Sequence, residues 1–171
     1  MNTKLPKIVV SRGGIHGKCV FAGENIKKGE KIIEYVGEKI SKAEAERRID
    51  AIDKKAERTG KSGEYYIFEL NKKYDLDGNV SWNKAKWINH SCNPNCESEI
   101  VKGKIWISAI KDIKKGEELT YDYAFEFDEE SLKDTPCHCR AKNCVGYIMS
   151  SEDWKKFERF KQKRDKVSRK S

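Results

Sequence analysis

Apolar and polar positions along this chain alternate in short bursts, with one long exception. "KIVVS" at residues 7–11 is β-branched and reads as a strand, and "GGIHGKCVFAG" reads as a turn-rich connection around another. After the turn "NIKKGE", the run "KIIEYVGEKI" reads as one further strand. The period then changes. In "SKAEAERRIDAIDKKAERTG", Ala45, Ile49, Ile52 and Ala56 share one helical face. Ser41 with Glu44 three residues on makes a capping box, Ile40 is placed for a hydrophobic staple, and Gly60 supplies the stop. Period-two alternation returns in "EYYIFEL", an Asp-Gly turn follows in "NKKYDLDGNVS", and "KIWISAI" and "ELTYDYAFEF" read as strands. An apolar-aromatic strand is expected just before "WINHSCNPNC". Ser150 and Asp153 open a second helix, "EDWKKFERFKQKRDK", whose end is expected to fray beyond Lys166. Many short strands with one or two helices predict a mainly β, α+β architecture.

At 171 residues the chain is long enough for one domain with a real core. Charged residues make up 37%, and no apolar run approaches the ~18 residues of a membrane span. Ile8-Val9-Val10 is too short a patch for a secretory leader, so the expected setting is intracellular, with no membrane partner. That means nucleus or chromatin in a eukaryote, and cytoplasm or a secreted effector in a bacterium. The net charge of +8 is unevenly placed. Residues 155–171 hold nine Lys and Arg against two acids, a net +7, whereas 117–134 hold eight acids against Lys133, a net −7. The protein is therefore a near-neutral body with an acidic patch and a basic tail. The tail could meet nucleic acid or an acidic partner, or dock on the acidic patch of its own chain. The patch could draw in a basic peptide.

Six cysteines without a secretory signal favour metal or catalysis over disulfides. Cys137, Cys139 and Cys144 lie together in "CHCRAKNC", a spacing suited to zinc. A tetrahedral site needs a fourth ligand, and from the residues alone His138, Cys19, Cys92 and Cys96 all remain candidates. "NHSCNPNC" offers a histidine next to a serine and near a cysteine, but no Gly-x-Ser-x-Gly elbow surrounds Ser91, and sequence neighbours rarely face each other as base and nucleophile. Hydrolysis is disfavoured. A purely structural Asn/Ser/Pro turn is the plain alternative.

The ordered stretches "IHGKCVFA", "IKKGEKIIEYVGE", "YYIFEL", "WINHSCNPNC", "ISAIKDIKKGEELTYDYAF" and "CHCRAKNCVGYI" frame about 140 of the 171 residues. Together they resemble the SET-domain protein lysine methyltransferases that carry a post-SET zinc segment. The resemblance implies a SET domain over 6–127, a post-SET segment over 134–149 and a basic helix or tail over 150–171. It implies several small β-sheets, a threaded, pseudoknot-like C-terminal portion, and an inserted helix within 41–75 walling a peptide groove. It also implies methyl transfer from S-adenosylmethionine, with S-adenosylhomocysteine as product, to a lysine of a basic protein or histone tail.

On that resemblance Tyr123 is the catalytic tyrosine, with Tyr121 and Tyr66 beside the reacting amine. Tyr121 stands where the family has Phe or Tyr, which implies mono-methylation, with di-methylation as the alternative. Ile15, His16, Gly17, Lys18, Tyr66, Asn89, His90, Tyr123 and Tyr147 are the implied cofactor residues. Cys92 joins Cys137, Cys139 and Cys144 around one structural Zn2+. Two departures stand out: Cys19 replaces the second Gly of the family's Gly-x-Gly, and Lys86-Trp87 replaces Arg-Phe or Arg-Tyr. If position 19 needs a positive φ, cysteine carries a cost there. The competing reading is a SET fold that has lost catalysis and serves as a zinc-stabilised protein-binding module.

Overall fold

The computed structural model describes residues 4–13, 17–60, 65–130, 132 and 135–168, so the expected cofactor residues Ile15 and His16 lie outside the described residues. Ten strands and two α-helices follow one another as β1 (Ile8–Arg12), β2 (Lys18–Ala22), β3 (Lys31–Tyr35), β4 (Glu38–Ser41), α1 (Lys42–Thr59), β5 (Ile67–Glu69), β6 (Tyr74–Asp77), β7 (Asn89–His90), β8 (Cys96–Val101), β9 (Lys104–Ala109), β10 (Thr120–Tyr121) and α2 (Trp154–Ser168). The sheets are small: β1-β2, β3-β9-β8, β4-β6-β5 and the short pair β7-β10. The mainly β architecture agrees with the sequence reading.

The chain forms two compact units that do not follow its order. The first comprises residues 1–89 and 95–120, the second 90–94 and 121–171. The core of the first unit is rich in β-branched residues, among them Val20, Ile32, Ile105 and Ile107 on strands and Ile26, Ile88 and Ile113 between strands. Between β8 and β9 the two-residue turn Lys102-Gly103 has φ of 51° and 74°. Both values are positive, as the hairpin turn matched to strand twist requires.

Several sequence expectations need correction. "KIIEYVGEKI" forms two strands rather than one, because β3 and β4 belong to different sheets and the chain breaks at Val36-Gly37. A Cβ on Gly37 would lie 2.2 Å from the Asp77 carbonyl oxygen, so only glycine allows this close approach. The expected strand before "NHSC" is a single 3₁₀ turn, Ala85–Trp87, with Asn83 Oδ1 accepting from the Ala85 N–H at 3.1 Å. "ELTYDYAFEF" is strand only at Thr120–Tyr121, since Ala124 takes a φ of 55° and ends the extended run. Cys96–Val101 was not foreseen as a strand; its alternation of Glu, Ser and Glu hides a polar-faced hairpin arm paired to β9.

Helix α1 begins and ends where the sequence places it. Ser41 Oγ accepts from the Glu44 N–H at 3.2 Å, and Gly60 is left-handed at φ 65°. Only half of the capping box forms, because the Glu44 carboxylate accepts instead from Arg47 and Arg48 at 2.7–2.8 Å. Arg48 also pairs with Asp77 at 2.6 Å, and Lys42 meets the buried Asp75 at 2.6 Å, which pins the helix to β6.

In the second unit the core is Phe127, Leu132, Met149 and Phe157, with Val145, Tyr147, Trp154 and Phe160 packed against it. Phe157 is only 3% exposed and lies edge-on to Phe127 at 5.7 Å. The apolar stripe of α2 thus completes this core.

Candidate active site and metal centre

Strand β2 carries Cys19 in extended backbone, not at a positive φ; the left-handed residue of this loop is Gly17 at 80°. The family glycine is therefore not required at 19, and the expected strain is absent. The Cys19 thiol is 2% exposed, donates to the Gly13 carbonyl at 3.3 Å, and accepts from Asn89 Nδ2 at 3.2 Å. Burial, reinforced by the neighbouring Glu118 carboxylate, pushes this thiol up to about 11, so it remains protonated near neutrality.

Asn89 is held in one orientation. Its Nδ2 donates to Glu118 Oε1 at 3.0 Å and reaches the Lys18 carbonyl at 3.4 Å as well as the Cys19 sulfur. A carboxylate and a carbonyl can only accept, so they fix which end of the amide faces them. The Asn89 Oδ1 accepts no hydrogen bond among the described residues, which leaves it an oriented acceptor fitted to an ammonium group. Glu118 is the residue that sequence reasoning missed here, while Cys19 stood out only as a departure from the family pattern. The signal available for Glu118 was the second acid of "GEEL".

Also in the first unit, the Tyr66 carbonyl accepts from both Tyr35 Oη at 3.0 Å and the Gly78 N–H at 2.8 Å. A Cβ on Gly78 would meet Tyr35 Oη at 2.3 Å, so this close packing also demands glycine. The Tyr66 ring stands edge-on to Trp87 at 6.0 Å. Lys18 and Lys86 lie 4.3 and 4.8 Å from the Trp87 ring centre. The Lys86-Trp87 departure thus forms a cation–aromatic stack that supports Tyr66.

The second unit holds Tyr121, Tyr123, His90 and Tyr147. The Tyr121 and Tyr123 rings lie 5.0 Å apart, Tyr123 and Phe125 5.7 Å apart, and His90 and Tyr123 5.5 Å apart. Tyr121 is buried and Tyr123 half-buried. His90 Nδ1 accepts from the Tyr123 backbone N–H at 3.3 Å, while Nε2 lies 3.6 Å from the Cys92 sulfur. This is the pattern of a neutral imidazole protonated on Nε2. Burial lowers its pKa, opposed more weakly by Asp122 with Oδ1 3.8 Å away. His90 therefore links the Cys92 thiol to the Tyr123 backbone. Tyr147 packs edge-on against Phe157 at 5.5 Å and, with Leu132, Phe160 and Arg164, lines a cleft of about 210 Å³.

The sulfurs of Cys92, Cys137, Cys139 and Cys144 all lie within 4.8 Å of one another, and none forms a disulfide. Cys92 is 3.8 Å from both Cys137 and Cys144. Four thiolates at the usual Zn–S distance of ~2.3 Å have edges of about 3.8 Å, so the cluster fits a tetrahedral metal. Backbone N–H groups of Cys92 and Gly146 point at the Cys139 and Cys144 sulfurs at 3.4 Å each. Burial would raise the Cys139 thiol, but hydrogen bonds led by the Cys92 and Ala141 backbones outweigh it and bring it to about 7. Burial pushes Cys92 up to about 12 and raises Cys137 as well, so a cation is needed to ionise the whole set.

The rest of "NHSCNPNC" is structural. Ser91 Oγ accepts from the Asn93 N–H at 3.1 Å. Asn95 is buried, donating to the Glu118 carbonyl at 2.8 Å and accepting from the Thr120 N–H at 2.9 Å. Cys96 is 1% exposed, and burial pushes its thiol up to about 12.

Comparison with known proteins identifies the class to which this geometry belongs. The SET-domain family model matches residues 17–124, and the chain belongs to that family. It is 36% identical over 152 residues to "Histone-lysine N-methyltransferase, H3 lysine-4 specific" of Saccharomyces cerevisiae, covering 86% of this chain and 14% of that protein. The protein of the same description from Schizosaccharomyces pombe is 41% identical over 138 residues, 78% of this chain and 14% of its own length. "Histone-lysine N-methyltransferase 2D" of Homo sapiens is 38% identical over 141 residues, 80% of this chain and 2% of that protein. The chain thus spans a seventh or less of these relatives.

Proposed function

We propose that this chain is an S-adenosylmethionine-dependent protein lysine N-methyltransferase that acts on a basic segment such as a histone tail and adds chiefly one methyl group. Residues 6–127 are its SET domain and 134–149 its post-SET segment, tied by one Zn2+ on Cys92, Cys137, Cys139 and Cys144. A nuclear location follows from the same reading. The tyrosine pair Tyr121 and Tyr123, with rings 5.0 Å apart and a backbone fastened to the buried His90, is the observation that carries the proposal.

The chemistry demands a neutral amine, and a free lysine with pKa near 10.4 is neutral only about once in 10³ molecules at pH 7. Aromatic surroundings disfavour the ammonium by desolvation. The hydroxyls of Tyr123, Tyr121 and Tyr66 are suited to orient the amine without offering a charge that would hold it protonated. The cofactor, when bound, supplies the methyl group on a sulfonium. Gly17, Lys18, Asn89, His90, Tyr66, Tyr123 and Tyr147 are the residues that would hold it, with Asn89 Oδ1 suited to accept from its amino group, and S-adenosylhomocysteine would be the product.

A methyltransfer assay on a panel of basic proteins, read by intact mass, tests the proposal. The wild-type chain adds +14 Da steps, ~14 Da being the mass of one methylene, and Tyr123→Phe lowers kcat by about 10² or more, the scale of losing one preorganised polar group. Bound cofactor with no wild-type transfer would favour a binding module instead.

A further inference from the structure

Helix α2 sorts its cations into two sets. Lys156 Nζ donates to the Phe127 carbonyl at 3.3 Å and lies 5.1 Å from the Phe127 ring centre. Lys161 lies 5.5 Å from the Phe157 ring and the Arg164 guanidinium 5.6 Å from the Phe160 ring. These three cations border the apolar stripe and help hold the helix on the second unit's core. Lys155, Arg159, Lys163 and Lys166 do none of this. All four are exposed, and they enter none of the ion pairs or cation–aromatic contacts of the described residues.

Their placement is regular. At ~100° per residue the four fall within an arc of about 80°, on the side of the helix opposite Phe157, and extend ~16 Å along its axis. No other residue of the helix falls within that arc; the neutral Gln162 borders it, with Glu158 and Asp165 beyond on the same flank. The stripe contains no apolar or aromatic side chain. A protein partner's interface core would be expected to call for aromatic or Met anchors, and a single-stranded nucleic acid for stacking platforms. A linear row of uncommitted cations on a rigidly seated helix suits the phosphodiester backbone of a duplex.

From this we infer that the outer face of α2 is a docking surface for duplex DNA, with Lys155, Arg159, Lys163 and Lys166 neutralising backbone phosphates without reading sequence. The surface is independent of the proposed methyl transfer. Seating it on the post-SET core would keep a substrate carried on DNA near the unit that bears Tyr123.

The test uses the full chain and a fluorescently labelled mixed-sequence duplex of about 30 base pairs, read by anisotropy from roughly 50 to 200 mM salt. Each phosphate contact adds about −0.9 to the slope of log K against log salt. The quadruple variant K155Q/R159Q/K163Q/K166Q should therefore lose about 3.6 from the wild-type slope. Replacing the three lysines by arginine should leave binding intact, and circular dichroism with zinc content verifies folding in both variants. No binding at about 50 mM salt, an unchanged slope in the folded quadruple variant, or competition by poly-glutamate equal to unlabelled duplex at the same charge would each overturn the inference. So would tighter binding of a single strand of the same length.

Discussion

Asn89 shows how a single side chain acquires a direction. An amide on a strand end could present either its oxygen or its nitrogen, and the Glu118 carboxylate at 3.0 Å settles which. Glu118→Ala removes that constraint and should raise the KM for S-adenosylmethionine about tenfold, the scale of one charge-assisted hydrogen bond, with a smaller effect on kcat. Glu118→Gln can still accept and should recover most of the loss. Equal defects in the two variants, measured by steady-state kinetics, would refute this role. Tyr121 carries a second residue-level prediction. Its ring lies 5.0 Å from that of Tyr123, and on the proposed function its hydroxyl would limit room for a methylated amine. Tyr121→Phe should shift the product from mono- to di- and trimethyl-lysine, read by mass spectrometry of a peptide substrate. Cys19 was legible as a departure but not as a solution. Only the fold shows that it occupies extended backbone and packs on Asn89.

Among the elements, helix α1 was legible because its signals are local. A serine cap, a 3.6-residue apolar period and a terminal glycine all lie within the segment itself. The β3–β4 break was not, because the reason for it is the Asp77 backbone, forty residues away in sequence from Gly37. Helix α2 was foreseen as a helix, but its partner was not. Its Phe157 fills the same core as Phe127, Leu132 and Met149. Phe157→Ala should cost about 3–5 kcal/mol in the stability of that unit, as for other buried Phe truncations. Denaturant unfolding followed by tryptophan fluorescence should show it, since Trp154 packs on the same cluster. A change within about 0.5 kcal/mol, the scale of an ordinary surface substitution, would mean that the helix is not anchored there.

For the molecule as a whole, the division into two units sets where loss of the proposed zinc would be felt. All four cysteines of the cluster belong to the second unit, with Cys92 on the segment 90–94 and the others beyond Tyr121. Chelation should release one equivalent of zinc and raise amide exchange across residues 90–94 and 121–166, while β3, β8 and β9 keep their protection. Uniform deprotection would show instead that the metal supports the whole chain. The sequence by itself determined the family motifs, the mainly β pattern, the helix caps and the thiol cluster, because each is written in residue types at short, fixed spacings. It also exposed the charge asymmetry of the tail. Tertiary structure decided what spacing cannot carry: that Cys92, implied by the family resemblance, lies against the other three cysteines, why position 19 tolerates a thiol, and which cations of α2 are already in use. These depend on approaches of a few ångströms between residues tens of positions apart, and such approaches exist only once the core is packed.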